Sequence, residues 1–113
     1  MPYIDTKTNL PVEKQTADRL KTQMGKLIEC FPGKSENWLM TAVEGNVMMT
    51  FRGEEEPAVF ADVSVFGDLK KEDCALFAEK MTETYCEILG VRPDRVYIKF
   101  NGSKTWSWNG RMF

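Results

Sequence analysis

The chain has 113 residues, of which 42% are hydrophobic, and its 15 basic and 17 acidic side chains leave a formal net charge of −2. This length suits a single domain over residues 1–113, because two smaller units would each bury too little surface. The near-neutral charge and the lack of a Lys/Arg run argue against a nucleic-acid partner. The sequence contains no histidine, which excludes Ser-His and Cys-His nucleophile systems.

Membrane, metal and redox roles are also disfavoured. No run approaches the roughly 20 apolar residues that span a bilayer, so no membrane insertion is expected. The N-terminus lacks the basic and apolar regions of a signal peptide, which predicts a cytoplasmic location. Cys30, Cys74 and Cys86 have no Cys-x-x-Cys spacing and are interpreted as buried thiols. The carboxylates of Glu54–Glu56 are consecutive and cannot easily converge on a metal, so no metal or cofactor is predicted.

The first half of the chain is predicted to form a strand, a helix and a second strand. Tyr3–Thr8 is Thr-rich and alternating, which predicts a strand that Leu10-Pro11 ends. A helix over about residues 12–31 is predicted from apolar residues at steps of three and four, namely Ala17, Leu20, Met24, Leu27, Ile28 and Phe31. Pro32-Gly33 stops this helix, and a strand is predicted over Trp38–Glu44 before a turn and a short segment, Val47–Phe51.

The second half repeats this plan after a polar loop over residues 52–57. A strand is predicted over Ala58–Phe66, a helix over about Lys71–Leu89 and a strand over Arg95–Phe100. Gly33 and Gly90, which end the two helices, lie 57 positions apart, and so do the turn glycines Gly45 and Gly102. The shared offset predicts a duplicated β-α-β unit, with pseudo-repeats over about residues 2–51 and 58–108.

Two such units predict an α/β fold in the form of an α+β two-layer sandwich. A helical crossover returns the chain parallel to its first strand, so four strands would form one mixed sheet with both helices on one face. Apolar residues stand on both sides of the third strand: Ala58, Phe60 and Phe66 on one side, and Val59, Ala61, Val63 and Val65 on the other. An oligomer that covers the second face is therefore expected.

Several short motifs are distributed in order along the whole chain. They are Met1-Pro2, Thr8-Asn9-Leu10-Pro11, Gly33-Lys34, Met49-Thr50-Phe51 with Glu56-Pro57, Phe66-Gly67, Pro93-Asp94-Arg95-Val96-Tyr97-Ile98 and Trp108-Asn109-Gly110-Arg111-Met112-Phe113. In this combination the chain resembles the tautomerase superfamily, in the branch of macrophage migration inhibitory factor and D-dopachrome tautomerase. The resemblance implies a homotrimer in which the sheets form a barrel and each active site lies at a boundary between subunits.

Under this resemblance Pro2 is the catalytic residue. Methionine is cleaved before a small residue, which would leave Pro2 with a free secondary amine. An α-amino group has an ordinary pKa of about 7.7–8.0, and an apolar site lowers the pKa because burial disfavours the cation. The neutral amine would suit abstraction of a proton α to a carbonyl. Taken alone, a proline after the initiator methionine is common and only forbids a helix at the start.

The resemblance also assigns substrate-binding residues. Lys34 would hold a substrate carboxylate or carbonyl, although the helix dipole alone also favours a lysine at this helix end. Phe66 would contact the substrate through its backbone, with Val65 as the alternative if the register differs by one. Tyr97 would enter the pocket from a neighbouring subunit. Lys99 stands where the family has Asn, and it would add a positive charge if its side chain points inward.

Two tryptophans are expected at the rim of the pocket. Trp38 corresponds to an aromatic position at the pocket mouth, and Trp106 falls where the family often has Val. Stacking on an aryl substrate and packing in the core or an interface are equally consistent with either residue. Trp108, with Asn109-Gly110, is interpreted as part of a structural C-terminal turn.

These residues predict a keto–enol tautomerase, an isomerase of the phenylpyruvate or dopachrome type that acts on a small 2-oxo acid or an aromatic enol. The alternative is a secreted cytokine-like ligand of a cell-surface receptor with vestigial tautomerase activity, since the relatives implied by the resemblance are exported without a signal peptide. Dehalogenation or decarboxylation by the same amine is less favoured. Those branches use an arginine-rich or acid-assisted pocket, whereas Arg95 and Arg111 belong to other motifs here.

Overall fold

In the computed structural model, which describes residues 1–113, two helices pack on a four-stranded sheet. The elements are strand β1 (Pro2–Thr8), helix α1 (Lys14–Leu27), strand β2 (Met40–Glu44), strand β3 (Val59–Phe66), helix α2 (Lys71–Leu89), strand β4 (Val96–Ser103) and a hairpin of β5 (Ser107–Trp108) and β6 (Arg111–Met112). This architecture confirms the predicted two-layer sandwich. No helix has the length and apolar character needed to cross a membrane.

The sheet joins two parallel strand pairs through one antiparallel pair. Its strand order is β2-β1-β3-β4, with β1 parallel to β2 and β3 parallel to β4, as the helical crossovers predict. At the centre β1 runs antiparallel to β3, so that Pro2 lies opposite Val65 and Thr8 opposite Val59. The predicted mixed sheet is therefore confirmed.

The two β-α-β units share one close backbone contact. A Cβ atom on Gly45 would lie 2.8 Å from the carbonyl oxygen of Leu10. A Cβ atom on Gly102 would lie even closer to the carbonyl oxygen of Gly67, and both contacts are too short for a side chain. Leu10 and Gly67 have the same offset of 57 as the two glycines. The second strand of each unit thus passes the end of the first at a distance that only glycine permits. The duplication itself stays a prediction.

Several element boundaries differ from the sequence expectation. Helix α1 ends at Leu27 and passes into a 3₁₀ turn over Ile28–Cys30, so it is shorter than the predicted span of residues 12–31. Trp38 was expected in a strand but lies in a 3₁₀ turn, Glu36–Trp38. The spacing of apolar residues indicates only which side chains are buried. Ile28 fits that spacing because it is fully buried, although it lies in the 3₁₀ turn. Periodicity therefore cannot separate an α-helix from the tighter turn that continues it.

The core lies between the helices and the sheet. Thirteen buried side chains form it: Ile4, Leu20, Met24, Ile28, Phe31, Val59, Ala61, Val63, Val65, Phe77, Met81, Tyr85 and Val91. The three cysteines are free and only half-buried, which corrects the expectation of fully buried thiols. Burial still raises the pKa of each thiol, which disfavours the reactive thiolate.

The sheet face away from the helices is more polar than expected. Asp5 lies opposite Asp62, and Asp62 lies opposite Lys99 in the next strand. The Lys99 ammonium is 4.0 Å from the Asp62 carboxylate, and Lys7 is 3.1 Å from Asp5. The expectation of a second apolar face rested on β3 alone. Asp5, Asp62 and Lys99 form a charged row across three strands, and this row can be recognised only when the strand order is known.

A buried hydrogen bond between the sheet and α2 is open to a direct stability test. The hydroxyl oxygens of Thr6 and Tyr85 are 2.6 Å apart, and both side chains are fully buried. We expect Tyr85→Phe to lower the free energy of unfolding by about 1–3 kcal/mol, because the Thr6 hydroxyl loses its partner. Urea denaturation at fixed protein concentration measures the change.

The double variant Thr6→Val/Tyr85→Phe is the control for that experiment. It removes both polar groups, so it should recover part of the stability lost in Tyr85→Phe. An unfolding free energy in Tyr85→Phe equal to that of the unmodified chain would contradict the expected role of this hydrogen bond.

Candidate active site

Pro2 lies at the beginning of a central strand, beside a cavity. A proline at the first position of a strand needs no N–H group for the ladder, so the sheet accommodates Pro2 without loss. Its side chain is fully buried. The adjoining cavity has a volume of about 560 Å³, and Pro2, Trp38, Met40 and Trp106 are among its lining residues. The structure therefore brings three of the sequence-predicted site residues, Pro2, Trp38 and Trp106, to one place.

A third tryptophan completes the aromatic wall of this cavity. Trp108 lines it as well, and its ring meets the Trp38 ring edge to face, with centroids 5.1 Å apart. The sequence interpretation assigned Trp108 to a structural turn, and that turn exists, with positive φ angles of 53° at Asn109 and 77° at Gly110. The spacing of Trp106 and Trp108 by two residues was the available signal, because side chains at that spacing share a face of a strand.

The C-terminal residue holds this aromatic wall against β3. The Phe113 N–H group donates a hydrogen bond of 3.0 Å to the Trp106 carbonyl. The Phe113 ring packs edge to face on Phe66, at 5.7 Å between centroids, and also contacts Trp108 at 6.4 Å. The last residues of the chain are thus fixed beside the first ones.

Lys34 and Phe66 form a linked pair next to the N-terminus. Gly33 has a φ of 76°, which turns the chain after the helix, and the Lys34 ammonium then donates a hydrogen bond of 2.9 Å to the Phe66 carbonyl. The Phe66 N–H group donates to the Met1 carbonyl, also at 2.9 Å. Lys34 and Phe66 line a separate cavity of about 220 Å³. Phe66 therefore connects Lys34 to the N-terminal peptide by both of its backbone groups.

The side chain of Val65 packs in the core and does not contact Lys34 or the N-terminus in the way that Phe66 does. It is fully buried on the helix face of the sheet and lies opposite Pro2. The backbone of Phe66, not that of Val65, bonds the Met1 carbonyl. Of the two registers that the sequence left open, the geometry at the N-terminus favours Phe66.

The surroundings of the N-terminal amine disfavour its charged form. In the full chain this amine belongs to Met1, which lines the larger cavity with Pro2. Burial is the main cause that lowers the pKa of the amine, and the positive charge of Lys34 lowers it further. Both causes depend on the position of the amine, just before the first residue of β1. The neutral form of the amine is therefore reached at a lower pH here than at an ordinary N-terminus.

Tyr97 and Lys99 do not reach the Pro2 cavity within one chain. Both lie on the edge strand β4, where Tyr97 is opposite Phe60 and Lys99 is opposite Asp62. Phe60 and Val65 are five residues apart on β3, which is roughly 16 Å along a strand. Tyr97 is 62% exposed, and its ring packs against Phe51 at 5.2 Å between centroids. One chain thus assembles Pro2, Lys34, Phe66 and the tryptophans, and leaves these two residues outside.

No group of three or more His, Cys, Asp or Glu side chains is arranged to hold a metal ion. The arrangement combines the buried Pro2 side chain next to the chain terminus, an ammonium group and an aromatic cavity. These groups are suited to binding an aromatic anion and to moving a proton.

Comparison with known proteins agrees with this geometry. The chain is 31% identical over 116 residues to the macrophage migration inhibitory factor homolog of Trichuris trichiura, and the match covers 100% of both chains. It is 26% identical over 115 residues to the homolog of Brugia malayi, covering 100% of this chain and 99% of the relative. Curated relatives therefore align over the full length.

Solved structures share the fold. The crystal structure of Leishmania major MIF2 has a TM-score of 0.94 at 23% identity and covers 100% of this chain and 97% of its own. The macrophage migration inhibitory factor homologue of Prochlorococcus marinus has a TM-score of 0.83 at 29% identity, with 96% of each chain covered. The family model for macrophage migration inhibitory factor matches residues 1–113. The chain belongs to the macrophage migration inhibitory factor family, within the tautomerase superfamily.

Proposed function

We propose that this protein is a keto–enol tautomerase in which the Pro2 amine, exposed by removal of Met1, is the general base. The observation that carries the proposal is the position of Pro2, buried at the start of β1 against a cavity of about 560 Å³ with three tryptophans in its wall. A base in such a place meets an aromatic substrate beside side chains that can pack on its ring. Phenylpyruvate, an aryl 2-oxo acid, is the substrate class that fits this cavity.

The amine acts as a base because its surroundings keep it neutral. Burial and the charge of Lys34 lower the pKa of the Met1 amine, and Pro2 lies one residue further into the sheet. After removal of Met1, the same two causes act on the Pro2 amine. A lowered pKa means that the neutral form predominates from a lower pH upward. The neutral amine removes a proton from the carbon α to the carbonyl, and the ammonium so formed returns a proton to complete the isomerisation.

Lys34 supplies the charge that stabilises the enolate. Its hydrogen bond of 2.9 Å to the Phe66 carbonyl fixes the ammonium beside the chain terminus. An ammonium at this place attracts the carboxylate of a 2-oxo acid and stabilises negative charge that develops on the substrate oxygen. The Phe66 N–H group, which bonds the Met1 carbonyl in the full chain, becomes free when Met1 is removed. The substrate's aryl ring would then pack against Trp38, Trp106 and Trp108.

A homotrimer would complete the site. Tyr97 and Lys99 project from the edge strand of the sheet, where they are available to the Pro2 cavity of a neighbouring subunit. The Asp62 carboxylate lies 4.0 Å from the Lys99 ammonium, so the positive charge that Lys99 brings is partly balanced. In this assembly each site takes its base from one subunit and its tyrosine from the next.

The role of the amine is tested by three forms of the protein whose N-termini are confirmed by intact mass. These are the mature protein, Pro2→Gly, and a form that keeps one extra N-terminal residue. We expect the blocked form to lose about 10²- to 10⁴-fold in the rate of phenylpyruvate tautomerisation, measured by ultraviolet absorbance, because it has no basic amine. Pro2→Gly keeps a primary amine of different geometry and should also lose most of the rate. Equal rates in the three forms would refute the proposal.

The charge of Lys34 is tested through the pH dependence of the reaction. Lys34→Met removes one of the two causes that lower the amine pKa, so the pKa should rise and the acid limb of the kcat/KM profile should move to higher pH. Titration of a ¹⁵N-labelled Pro2 amine by NMR gives the same answer if turnover is too slow. Lys70→Met is the matched control, because Lys70 lines the same small cavity but does not affect the amine pKa. A profile unchanged in Lys34→Met would contradict the assignment.

The shared site is tested by assembly and complementation. Sedimentation should give the mass of three chains of 13.0 kDa each. Pro2→Gly and Tyr97→Leu should each be weakly active alone. After the two are unfolded and refolded together, about one third of the sites in mixed trimers combine an intact Pro2 with an intact Tyr97. Recovery of activity is expected on mixing, and its absence despite mixed trimers would place both residues in the same subunit's site or remove Tyr97 from it.

A further inference from the structure

Arg95 is a buried cation without a carboxylate partner. It is 5% exposed, and none of the ion pairs of the chain involves it. Its guanidinium instead donates to four backbone carbonyls of the loop over residues 51–57: to Pro57 at 2.9 Å, Phe51 at 3.2 Å, Glu54 at 3.2 Å and Glu56 at 2.9 Å. A buried charge is stable only when its donors are satisfied. The loop is therefore wrapped around this one side chain.

The same guanidinium contacts the Phe51 ring, as does the guanidinium of Arg52 at 5.4 Å from the ring centroid. The central carbon of the Arg95 guanidinium lies 5.3 Å from the Phe51 ring centroid, which is within the range of a cation–π contact. Arg95 also bonds the Phe51 carbonyl, and Phe51 and Glu54 exchange two backbone hydrogen bonds of 3.0 and 3.1 Å. Both the backbone and the ring of Phe51 are thus fixed.

Phe51 in turn supports Tyr97. The two rings meet edge to face, with centroids 5.2 Å apart and planes at 82°. Tyr97 is otherwise exposed on the edge strand. The Phe51 ring is therefore the aromatic contact that limits the directions open to the Tyr97 side chain. A side chain held in one direction loses less freedom when it binds a ligand.

We propose that Arg95 is a positioning residue for the substrate: through the loop over residues 51–57 it fixes Phe51, and Phe51 directs Tyr97. This inference rests on the proposed function, in which Tyr97 completes the site of a neighbouring subunit. Arg95 does not bind the substrate anion itself, because it is buried. Its guanidinium has five N–H groups, and it makes four hydrogen bonds to carbonyls of the loop. Arginine is needed because a lysine ammonium cannot present a planar fork to several carbonyls.

The direction of Tyr97 can be measured without any substrate. The chain contains three tyrosines, so 3-fluorotyrosine labelling gives a simple ¹⁹F NMR spectrum in which Tyr97→Phe identifies the signal of residue 97. We expect Arg95→Lys and Phe51→Leu to shift or narrow that signal and to leave the signal of Tyr85 in the core unchanged. Arg92→Lys is the matched control, because Arg92 is a nearby exposed arginine whose partners are side-chain carboxylates. It should leave all three signals in place.

Kinetics with phenylpyruvate supply the second readout. We expect Arg95→Lys and Phe51→Leu to raise KM about threefold to tenfold, with kcat changed less than about twofold, and Arg92→Lys to change neither. Combining Arg95→Lys with Tyr97→Phe should raise KM no further than Tyr97→Phe alone, because Arg95 acts through Tyr97. Additive effects on KM would overturn the inference, since they would show that Arg95 acts by another route.

The outcomes separate this inference from the proposed function. If the mature protein does not turn over phenylpyruvate, the tautomerase proposal fails for this substrate, while the ¹⁹F signal of residue 97 still decides whether Arg95 directs it. An unmoved signal in a folded Arg95→Lys protein overturns the inference. If Arg95→Lys does not fold, Phe51→Leu carries the test, because it leaves the guanidinium and its carbonyl partners in place.

Discussion

The antiparallel pairing of β1 with β3 is the interaction on which the rest of the molecule depends. Each β-α-β unit alone is one parallel pair with one helix, which buries too little surface to be stable. Pairing at the centre joins the two units, and its register sets Pro2 opposite Val65. The next residue, Phe66, then bonds the N-terminal peptide and Lys34. A slip of one residue would turn every side chain of β1 to the other face and separate Pro2 from these partners.

Side chains at one end of the sheet, where β1 ends and β3 and β4 begin, hold this register by binding backbone groups. The Thr8 hydroxyl donates to the Ala58 carbonyl at 2.8 Å, and the Asn9 amide donates to the carbonyls of Glu55 and Glu56 while its oxygen accepts from the Ala58 N–H group. Arg95 binds the same loop from the position just before β4. The loop before β3 contains the consecutive glutamates of positions 54–56. Its conformation is therefore determined by polar side chains that precede and follow the strands.

The sequence was sufficient for the four strands of the sheet, the two helices and the parallel pair within each unit, but not for the strand order by which the two units join. Apolar periodicity placed α2 at Lys71–Leu89, as observed, because a buried stripe persists over its whole length. Trp38 was misplaced because its 3₁₀ turn depends on a hydrogen bond from Leu39 to Glu36 that no periodicity reveals. Alternation puts Tyr97 and Lys99 on the open face of the sheet. In the proposed trimer, Tyr97 and Lys99 approach the Pro2 cavity of a neighbouring subunit. The symmetry of the assembly determines which subunit that is, and the local pattern of one sequence does not show this symmetry.

The absence of histidine makes the chain terminus the natural place for acid–base chemistry near neutral pH. Among ordinary groups, only imidazole, an α-amino group and a perturbed thiol change charge between about pH 5 and 8. This chain has no histidine, and burial raises the pKa of Cys30, Cys74 and Cys86, away from that range. The N-terminal amine is the group whose pKa moves the other way. In the proposed function this amine, folded into the sheet beside an aromatic cavity, takes the role that a histidine base has in other enzymes.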